Sequence, residues 1–298
     1  MSCCYYFTNF MNDFLRVDQS VTIVTAFFDI GRGDWTQEQG HPGYLHRPTD
    51  KYFEYFKNLA KLENPFIVYT SDEFVDKILK IREGKETIVI AIDIKKKFNY
   101  FLEKIEKIQK NDEFRRKVVK EQLCNPEYWS PSYVLVNNLK SYFVNNSIKN
   151  KLVSTNLVAW IDFGYCRDTK TLNNLSQWCY DFDVSKIHLF TIQKNYDFTE
   201  ENVLNSILGN VPFIIGGGIV GSVQLWPKFY ELILTCQLEL LDQNVIDDDQ
   251  GVYLLSKLKE PDLIQLNYLG KNNWFAIFKK YSHTNNMLDK IKSAMKFW

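Results

Sequence analysis

Residues 158–167 read VAWIDFGYCR. Val158, Ala159, Trp160 and Ile161 form an unbroken apolar run, the signature of a buried strand. The run stops at Asp162, and Gly164 follows two residues later. A core strand has no structural need of a carboxylate at its tip, because an unpaired buried charge costs several kcal/mol or takes up a proton. In open α/β sheets, ligands bind outside the carboxyl ends of strands. An acid there, beside a residue with no side chain, is placed to hold a divalent metal or a polar ligand group. Two purely structural readings compete: Asp162 caps the following helix, or it pairs with Arg167. Its place at the end of a central strand favours a functional role.

Outward from this strand, short apolar runs alternate with segments of helical period, the pattern of an α/β sandwich. Strands are expected at VTIVTAFF (21–28), PFIVYTS (65–71), TIVIAID (87–93), KIHLFTI (186–192), VPFIIGGG (211–218) and LIQLNY (263–268). Helices are expected from Thr49, where Tyr52, Phe53, Phe56, Leu59 and Ala60 share a face, over DEFVDKILKIRE, at about 96–110, 112–124 and 132–149, from Trp226 to about Leu241, and from about Gly251. No internal repeat, low-complexity tract or Gly/Ser linker interrupts the chain, so one principal domain over 1–298 is expected. It carries a helical insertion at about 95–150, whose Lys/Glu-rich face reads either as an ordinary solvated surface or as an acceptor- or membrane-facing element. An amphipathic helix with a basic face is expected at about 284–298, a shape suited to peripheral contact with an anionic membrane.

Composition narrows the function. Lys plus Arg and Asp plus Glu both total 36 in 298 residues, so the basic excess of an electrostatic nucleic-acid binder is missing. Aromatic residues make up 15% of the chain; such rings fill cores, and some can line a groove for sugar or base stacking. The six cysteines include no CxxC pair. With a first stretch, MSCCYYFTNFMNDFLRVDQS, that lacks the pattern of a secretory signal, this implies reduced thiols and a cytoplasmic setting. Residues 202–227 carry no charge, but their glycines, asparagines and prolines argue against a membrane span.

Further candidate site residues sit near strand ends. In TAFFDIGRGDW (25–35), Thr25 and the backbone suit a nucleobase or ribose, and Arg32 or the later Arg47 suits phosphate; a simple turn at Gly31 and Gly33 is the alternative. No GxGxxG or Walker A pattern is present. In FIIGGGIVGS (213–222), Gly216, Gly217 and Gly218 allow close backbone approach to a ligand, or a bend that needs positive φ. In DDDQ (247–250), capping accounts for one or two acids, and a third is left to act as base or to bind an acceptor hydroxyl. His41, His46, His188 and His283 show no zinc-binding spacing; His283 could complete a metal site with Asp162. Ser222 lacks the G-x-S-x-G elbow of serine hydrolases.

In order, TIVTAFFDIGRGDW, RPTDKYFEYFKNLAKLENPFIVYTS, AWIDFGY, IIGGGIVGS with Trp226–Phe229, and DDDQ resemble the HtrL/YibB family of bacterial proteins, over about residues 20 to 275. The resemblance implies a GT-A-like α/β/α sandwich with a mixed central sheet. It also implies glycosyltransferase activity, hexosyltransferase in type, in capsule or lipopolysaccharide biosynthesis. In that fold the nucleotide-sugar lies at the end of the first strands, a D-x-D motif binds the metal–diphosphate, and a later acid meets the acceptor. By that analogy Thr25, Phe27, Asp29, Arg32 and Arg47 frame the nucleotide and its phosphates. Asp162, with Gly164 and Tyr165, lies at the metal–diphosphate, and Lys140 is a phosphate contact. Gly216 to Gly218 approach the donor sugar or acceptor, Gln250 contributes to binding the donor, and Asp249 acts as base or acceptor anchor. Gly164 replaces the second acid of D-x-D, so Mn²⁺ or Mg²⁺ would rest on Asp162, His283, diphosphate oxygens and waters. The expected donor is a UDP-sugar, the expected acceptor a glycan or glycolipid, and the expected place the cytoplasm or the inner face of the cytoplasmic membrane. A GT-A-like module that grips nucleotide or glycan without turnover is the main rival. A two-metal phosphodiesterase or nucleotidyltransferase is poorer, because the acids are dispersed along the chain.

Overall fold

The computed structural model describes residues 20–283. They build one seven-stranded sheet from β1 (Val21–Phe27), β2 (Phe66–Thr70), β3 (Thr87–Ala91), β4 (Leu157–Ile161), β5 (Ile187–Thr191), β6 (Ile214–Ser222) and β7 (Ile264–Tyr268). The order across the sheet is β3-β2-β1-β4-β6-β5-β7. Neighbouring strands are parallel except at β6, which is antiparallel to both β4 and β5. This is the α/β sandwich that the alternation of apolar runs implies, with the mixed central sheet that the family resemblance implies.

Burial follows position in the sheet. β1, β2, β4 and β5 are buried at every residue, as strands covered on both faces must be. β3 and β7 form the edges and expose part of their length. Side chains alternate between two cores. Val24, Ala26, Val158 and Trp160 face one, while Val21, Ile23, Ala159 and Ile161 face the other.

The first core is covered by α4 (Asn99–Gln109), α6 (Pro131–Asn138), α7 (Lys140–Lys149), α8 (Glu200–Leu208), α9 (Trp226–Asp242) and α10 (Gln250–Lys259), with the shorter α3 (Ile94–Lys97) and α5 (Asp112–Lys117) beside them. The second is covered by α1 (Thr49–Leu59), α2 (Val75–Ile81) and α11 (Ile277–Lys280). Local chemistry sets several helix starts. The side chains of Asp93, Asn111, Ser130 and Thr199 accept hydrogen bonds from orphan N–H groups of α3, α5, α6 and α8. Trp226 ties α9 to the central strand by donating from Nε1 to the Val158 carbonyl at 3.0 Å.

Three boundaries differ from the sequence-based expectation. The helix expected at 132–149 is two helices, α6 and α7, meeting at Leu139. The polar segment after α5 ends in a short 3-10 turn at 120–124 rather than a continuing helix. Ile105 and Ile108 of α4 and Phe114 of α5 pack into the first core, so their apolar stripes have a partner within the chain. β6 does not stop at the glycine run; it continues through it to Ser222. Among the described residues no helix is long and apolar enough to cross a membrane. The amphipathic segment expected at about 284–298 lies outside the described residues.

Connectivity decides where a site can form. From β1 the chain builds outward to β2 and β3 on one side, and β4 pairs on the other. The point where strand order reverses leaves a crevice at the strands' carboxyl ends. Because β6 runs the opposite way, its beginning arrives at that same end, with Gly218 opposite Ile161.

Candidate active site

A cavity of ≈ 290 Å³ opens at the carboxyl ends of β1 and β4, at this switch point. Its walls include residues 26–30 at the end of β1 and just beyond, Arg47, Thr49 and Tyr52 at the start of α1, Lys140, residues 162–165 and Arg167 after β4, Gly216 and Gly217 of β6, Asp248 to Gln250, and Trp274 with Phe275.

Lys140 organises the polar wall. It is the first residue of α7 and only 3% exposed. Its ammonium has three protons to give, and three oxygens receive them: Gly216 O at 3.0 Å, Asp162 Oδ1 at 3.1 Å, and Asp249 Oδ2 in close contact. Burial penalises the Lys140 charge, but the two carboxylates outweigh burial and hold it above the ordinary lysine range. Burial is also the main influence on Asp249 and raises it to about 7, against the pull of Lys140 and with added repulsion from Asp248 and Asp162. The geometry favours the charged pair, since removing either partner would strand the other in the interior.

Asp162 differs from Asp249 in exposure: its side chain is 38% exposed and that of Asp249 4%. Trp160 Nε1 donates to Asp162 Oδ1 at 2.7 Å, and Lys140 binds the same oxygen. Oδ2 has no protein donor among the described residues, and it faces the cavity that Asp162 lines. Asp162 neither caps a helix nor pairs with Arg167; its carbonyl accepts from Tyr165 N in a turn.

The glycine run is explained by close approach. None of Gly216, Gly217 and Gly218 has positive φ. A Cβ on Gly216 would stand 1.9 Å from Asp249 Oδ2, one on Gly217 3.0 Å from the Tyr165 ring, and one on Gly218 2.4 Å from Ile277 Cδ1. The space beside the strand is thus filled by the chain's own side chains, and Gly216 is what allows the Asp249 carboxylate to reach Lys140. Gly164 likewise clears the ring of Tyr52, 3.1 Å from its would-be Cβ.

The three acids of DDDQ have three separate tasks. Asp247 Oδ2 accepts from the Gly251 and Val252 N–H groups and so caps α10. Asp248 Oδ1 accepts from Asp249 N, and Asp249 meets Lys140. Burial raises Asp247 to about 7 and Asp248 to about 6. Close behind lies Glu127, 9% exposed, whose Oε2 is buried without a partner; burial, reinforced by Asp248, raises it to about 8.

Of the residues singled out in the sequence, Phe27, Asp29, Arg32, Arg47, Lys140, Asp162, Gly164, Tyr165, Gly216, Gly217, Asp249 and Gln250 line the cavity. Their surroundings differ. Phe27 is stacked on Phe163 at 5.0 Å. Asp29 is held by Gly31 N and the Thr49 hydroxyl. Arg32 is committed to the Leu45 carbonyl and the Tyr52 hydroxyl. Tyr165 donates its hydroxyl proton to Trp274 O and accepts from Ile277 N, which fixes the 274–277 wall. Gln250 Oε1 is buried without a partner.

Thr25 and Gly218 do not line the cavity. Thr25 lies inside β1 opposite Val68, with Oγ1 buried and unpartnered. His283 is not brought to Asp162: its ring lies beside Tyr180, with Nε2 3.9 Å from Asp181. Arg167, Tyr52, Asp248, Trp274 and Phe275 are also among the lining residues. The sequence marks Tyr52 only as part of an apolar helix face, Arg167 only as a partner for Asp162, and Trp274 and Phe275 not at all.

Among the described residues no three His, Cys, Asp or Glu side chains converge to hold a metal ion. Asp162 offers one open oxygen, while both oxygens of Asp29 already accept hydrogen bonds. The donor set therefore does not fit a divalent-metal centre built by the protein.

Comparison with known proteins places the chain. It is 52% identical over 279 residues to the protein HtrL of Escherichia coli (strain K12), covering 93% of this chain and 98% of that protein. A crystal structure of mouse xyloside xylosyltransferase 1 in its apo form aligns with 83% of this chain and 84% of its own, at 11% identity and a TM-score of 0.39. The profile of HtrL_YibB, described as a bacterial protein of unknown function, matches residues 19–283. With nearly the whole described chain matched and every motif of the resemblance inside it, the chain belongs to the HtrL/YibB family.

Proposed function

We propose that this chain is a glycosyltransferase that moves a sugar from a nucleotide-sugar to a glycan or glycolipid acceptor. The observation that carries this reading is the carboxylate of Asp162. It stands at the end of the central strand with one oxygen anchored by Trp160 and Lys140 and the other open to a cavity at the topological switch point. In the transfer, the bond from the anomeric carbon to the leaving diphosphate breaks and a bond to the acceptor oxygen forms. The acceptor proton passes to a base, and the leaving diphosphate needs its growing charge neutralised. Residues 26–30 form the wall for the nucleotide. Asp162 meets the sugar or its diphosphate, Gly216 and Gly217 supply backbone beside the sugar, and Asp249 faces the acceptor. Paired with Lys140, Asp249 is held as the carboxylate, the form a general base needs. A UDP-sugar donor, an acceptor of the capsule or lipopolysaccharide kind, and work at the inner face of the cytoplasmic membrane follow from the family resemblance alone.

The test is incubation with UDP-, GDP- and CMP-sugars and candidate acceptors, following nucleotide release. Asp162→Asn is expected to lower release by roughly 10²- to 10³-fold, the scale of losing one electrostatic contact at a reacting centre. Its melting temperature should stay near that of the parent, because the carboxylate is partly hydrated. Full turnover by Asp162→Asn would overturn the role. A second reading, a binding module without turnover, is favoured by Gly164 at the position of the second acid and by Lys140 already neutralising Asp249. It predicts a thermal shift with nucleotide-sugars but no release.

A further inference from the structure

One part of the cavity wall is strongly cationic and lacks an anion. Arg47 and Arg167 both line the cavity, and neither has a carboxylate within ion-pair distance among the described residues. Arg167 lies five residues beyond Asp162, on the chain leaving β4. Its guanidinium carbon lies 4.6 Å from the Tyr55 ring centroid and 5.4 Å from that of Phe275, and the Tyr55 side chain also interacts with it as a hydrogen-bond partner. Arg47 lies 5.8 Å from the Tyr52 ring, one helical turn before Tyr55 on α1. Aromatic contacts hold a guanidinium in place while leaving N–H groups for a ligand. Arg167 Nε is buried and has no hydrogen-bond partner. A buried unpaired donor on a cation is costly, and a second arginine nearby adds to that cost: burial first, then Arg47, pulls Arg167 below the usual arginine range. Arg32 is not a third member, since each of its three nitrogens already donates, to the Leu45 carbonyl or the Tyr52 hydroxyl.

We infer that Arg47 and Arg167 form an anion subsite in this cavity, one that binds the diphosphate of its ligand through the guanidinium edges. A planar fork matches two phosphate oxygens at once, which a lysine or a surface patch does not reproduce. The subsite supplies from the protein the positive charge that the metal donor set here does not gather. The inference rests on the nucleotide-sugar reading only for the identity of the ligand; the guanidinium pair itself demands no more than a phosphorylated anion.

The experiment is calorimetric titration of the full chain, in chelator, with inorganic pyrophosphate, UDP and glucose 1-phosphate. Arg167→Gln, Arg47→Gln and Arg167→Lys are compared with the parent. Pyrophosphate binding is expected to weaken by roughly 10- to 100-fold in each Gln variant, the scale of charge-assisted hydrogen bonds. It should also weaken as salt is raised. Arg167→Lys should recover only part of the loss, because charge returns without the fork. UDP that binds more tightly than pyrophosphate and loses the same factor assigns the subsite to a nucleotide. The same loss for glucose 1-phosphate alone assigns it to a phosphorylated sugar. Pyrophosphate that fails to bind the parent, or that binds all variants equally, overturns the subsite even if sugar transfer is found. Arginine-dependent binding with no transfer from any donor leaves the subsite standing and removes the transferase reading. Should Arg167→Gln melt early, Arg47→Gln decides alone, since among the described residues the Arg47 side chain makes no hydrogen bond whose loss would unfold the chain.

Discussion

Two buried cations sit at opposite ends of the same sheet, and they show how a structural site differs from one with work to do. At the amino ends of β2 and β3, Arg82 is 1% exposed. Its five N–H donors meet the carbonyls of Ala60, Leu62, Asn64 and Glu86 and the Thr87 hydroxyl. Phe66 covers its face at 4.0 Å. Burial lowers it to about 10, which still leaves it charged at neutral pH. At the carboxyl ends, Lys140 is as buried and as fully hydrogen-bonded, but two of its three partners are carboxylates. The Arg82 network closes on neutral backbone and stitches three loops together. The Lys140 network ends in an acid with an oxygen left open. Completeness of hydrogen bonding does not separate the two; what lies at the last atom does.

The contrast is broken most directly at Lys140. Lys140→Met leaves Asp249 buried with no counter-charge, at a cost of about 3–5 kcal/mol by denaturant unfolding. Adding Asp249→Asn should return most of that stability, because the stranded charge is gone, yet restore no activity or ligand binding. A double variant as unstable as Lys140→Met would mean that the ammonium stabilises through Gly216 and not through the acid. Arg82→Met is expected to cost about 2–4 kcal/mol by orphaning several carbonyls. Ligand affinity, measured where the protein is still folded, should be unchanged. A loss of affinity in Arg82→Met would erase the distinction between the two ends.

The sequence makes one half of this comparison legible. VAWI followed by Asp162 marks a buried strand ending in an acid because apolar runs report burial directly. The same logic locates β1, β2, β5 and the faces of α1 and α9. Strand direction leaves no such mark: the apolar residues of β6 would look the same run either way, so the arrival of its glycines beside Asp162 is invisible until the sheet is built. Lys140 and Asp249 are 109 residues apart, and nothing local links a lysine at a helix start to an acid before another helix. The glycine run shows that backbone must come close to something. It does not show that the something is Asp249, Tyr165 and Ile277 of the same chain.

A smaller effect separates the ends by pH. Glu127, Asp247 and Asp248 are raised by burial to about 8, 7 and 6, and each adjoins the Lys140 end. Their folded values exceed the unfolded ones, so between about pH 4 and 8 these three groups hold more protons in the folded protein than in the unfolded chain, an excess that the lowered His188 offsets only in part. Stability is therefore greatest at the acid side of that window and falls as pH rises through it, by up to ~1.4 kcal/mol per pH unit for each excess proton. Glu127→Gln removes the acid with the highest value. Its stability curve should be flatter from pH 5 to 8 and lie above the parent at pH 8. A parent whose stability rises across this window would show that these acids are charged and compensated in the fold. Arg82 has no such profile, since about 10 lies outside the window.

The smallest effect tests the division of labour within a single tripeptide. Asp247 caps α10 and does not line the cavity, whereas Asp249 two residues on lines it and holds Lys140. Asp247→Ala should cost about 1 kcal/mol, the typical value of a lost cap. Asp247→Asn keeps an acceptor for the Gly251 and Val252 N–H groups and removes a buried charge, so it should change stability by less than ~0.5 kcal/mol at neutral pH. Neither should alter ligand affinity. Were Asp247→Asn to weaken binding while keeping α10 intact, the acid would be acting on the cavity through its charge. The boundary between structural and functional carboxylates would then lie one residue earlier than the hydrogen bonds place it.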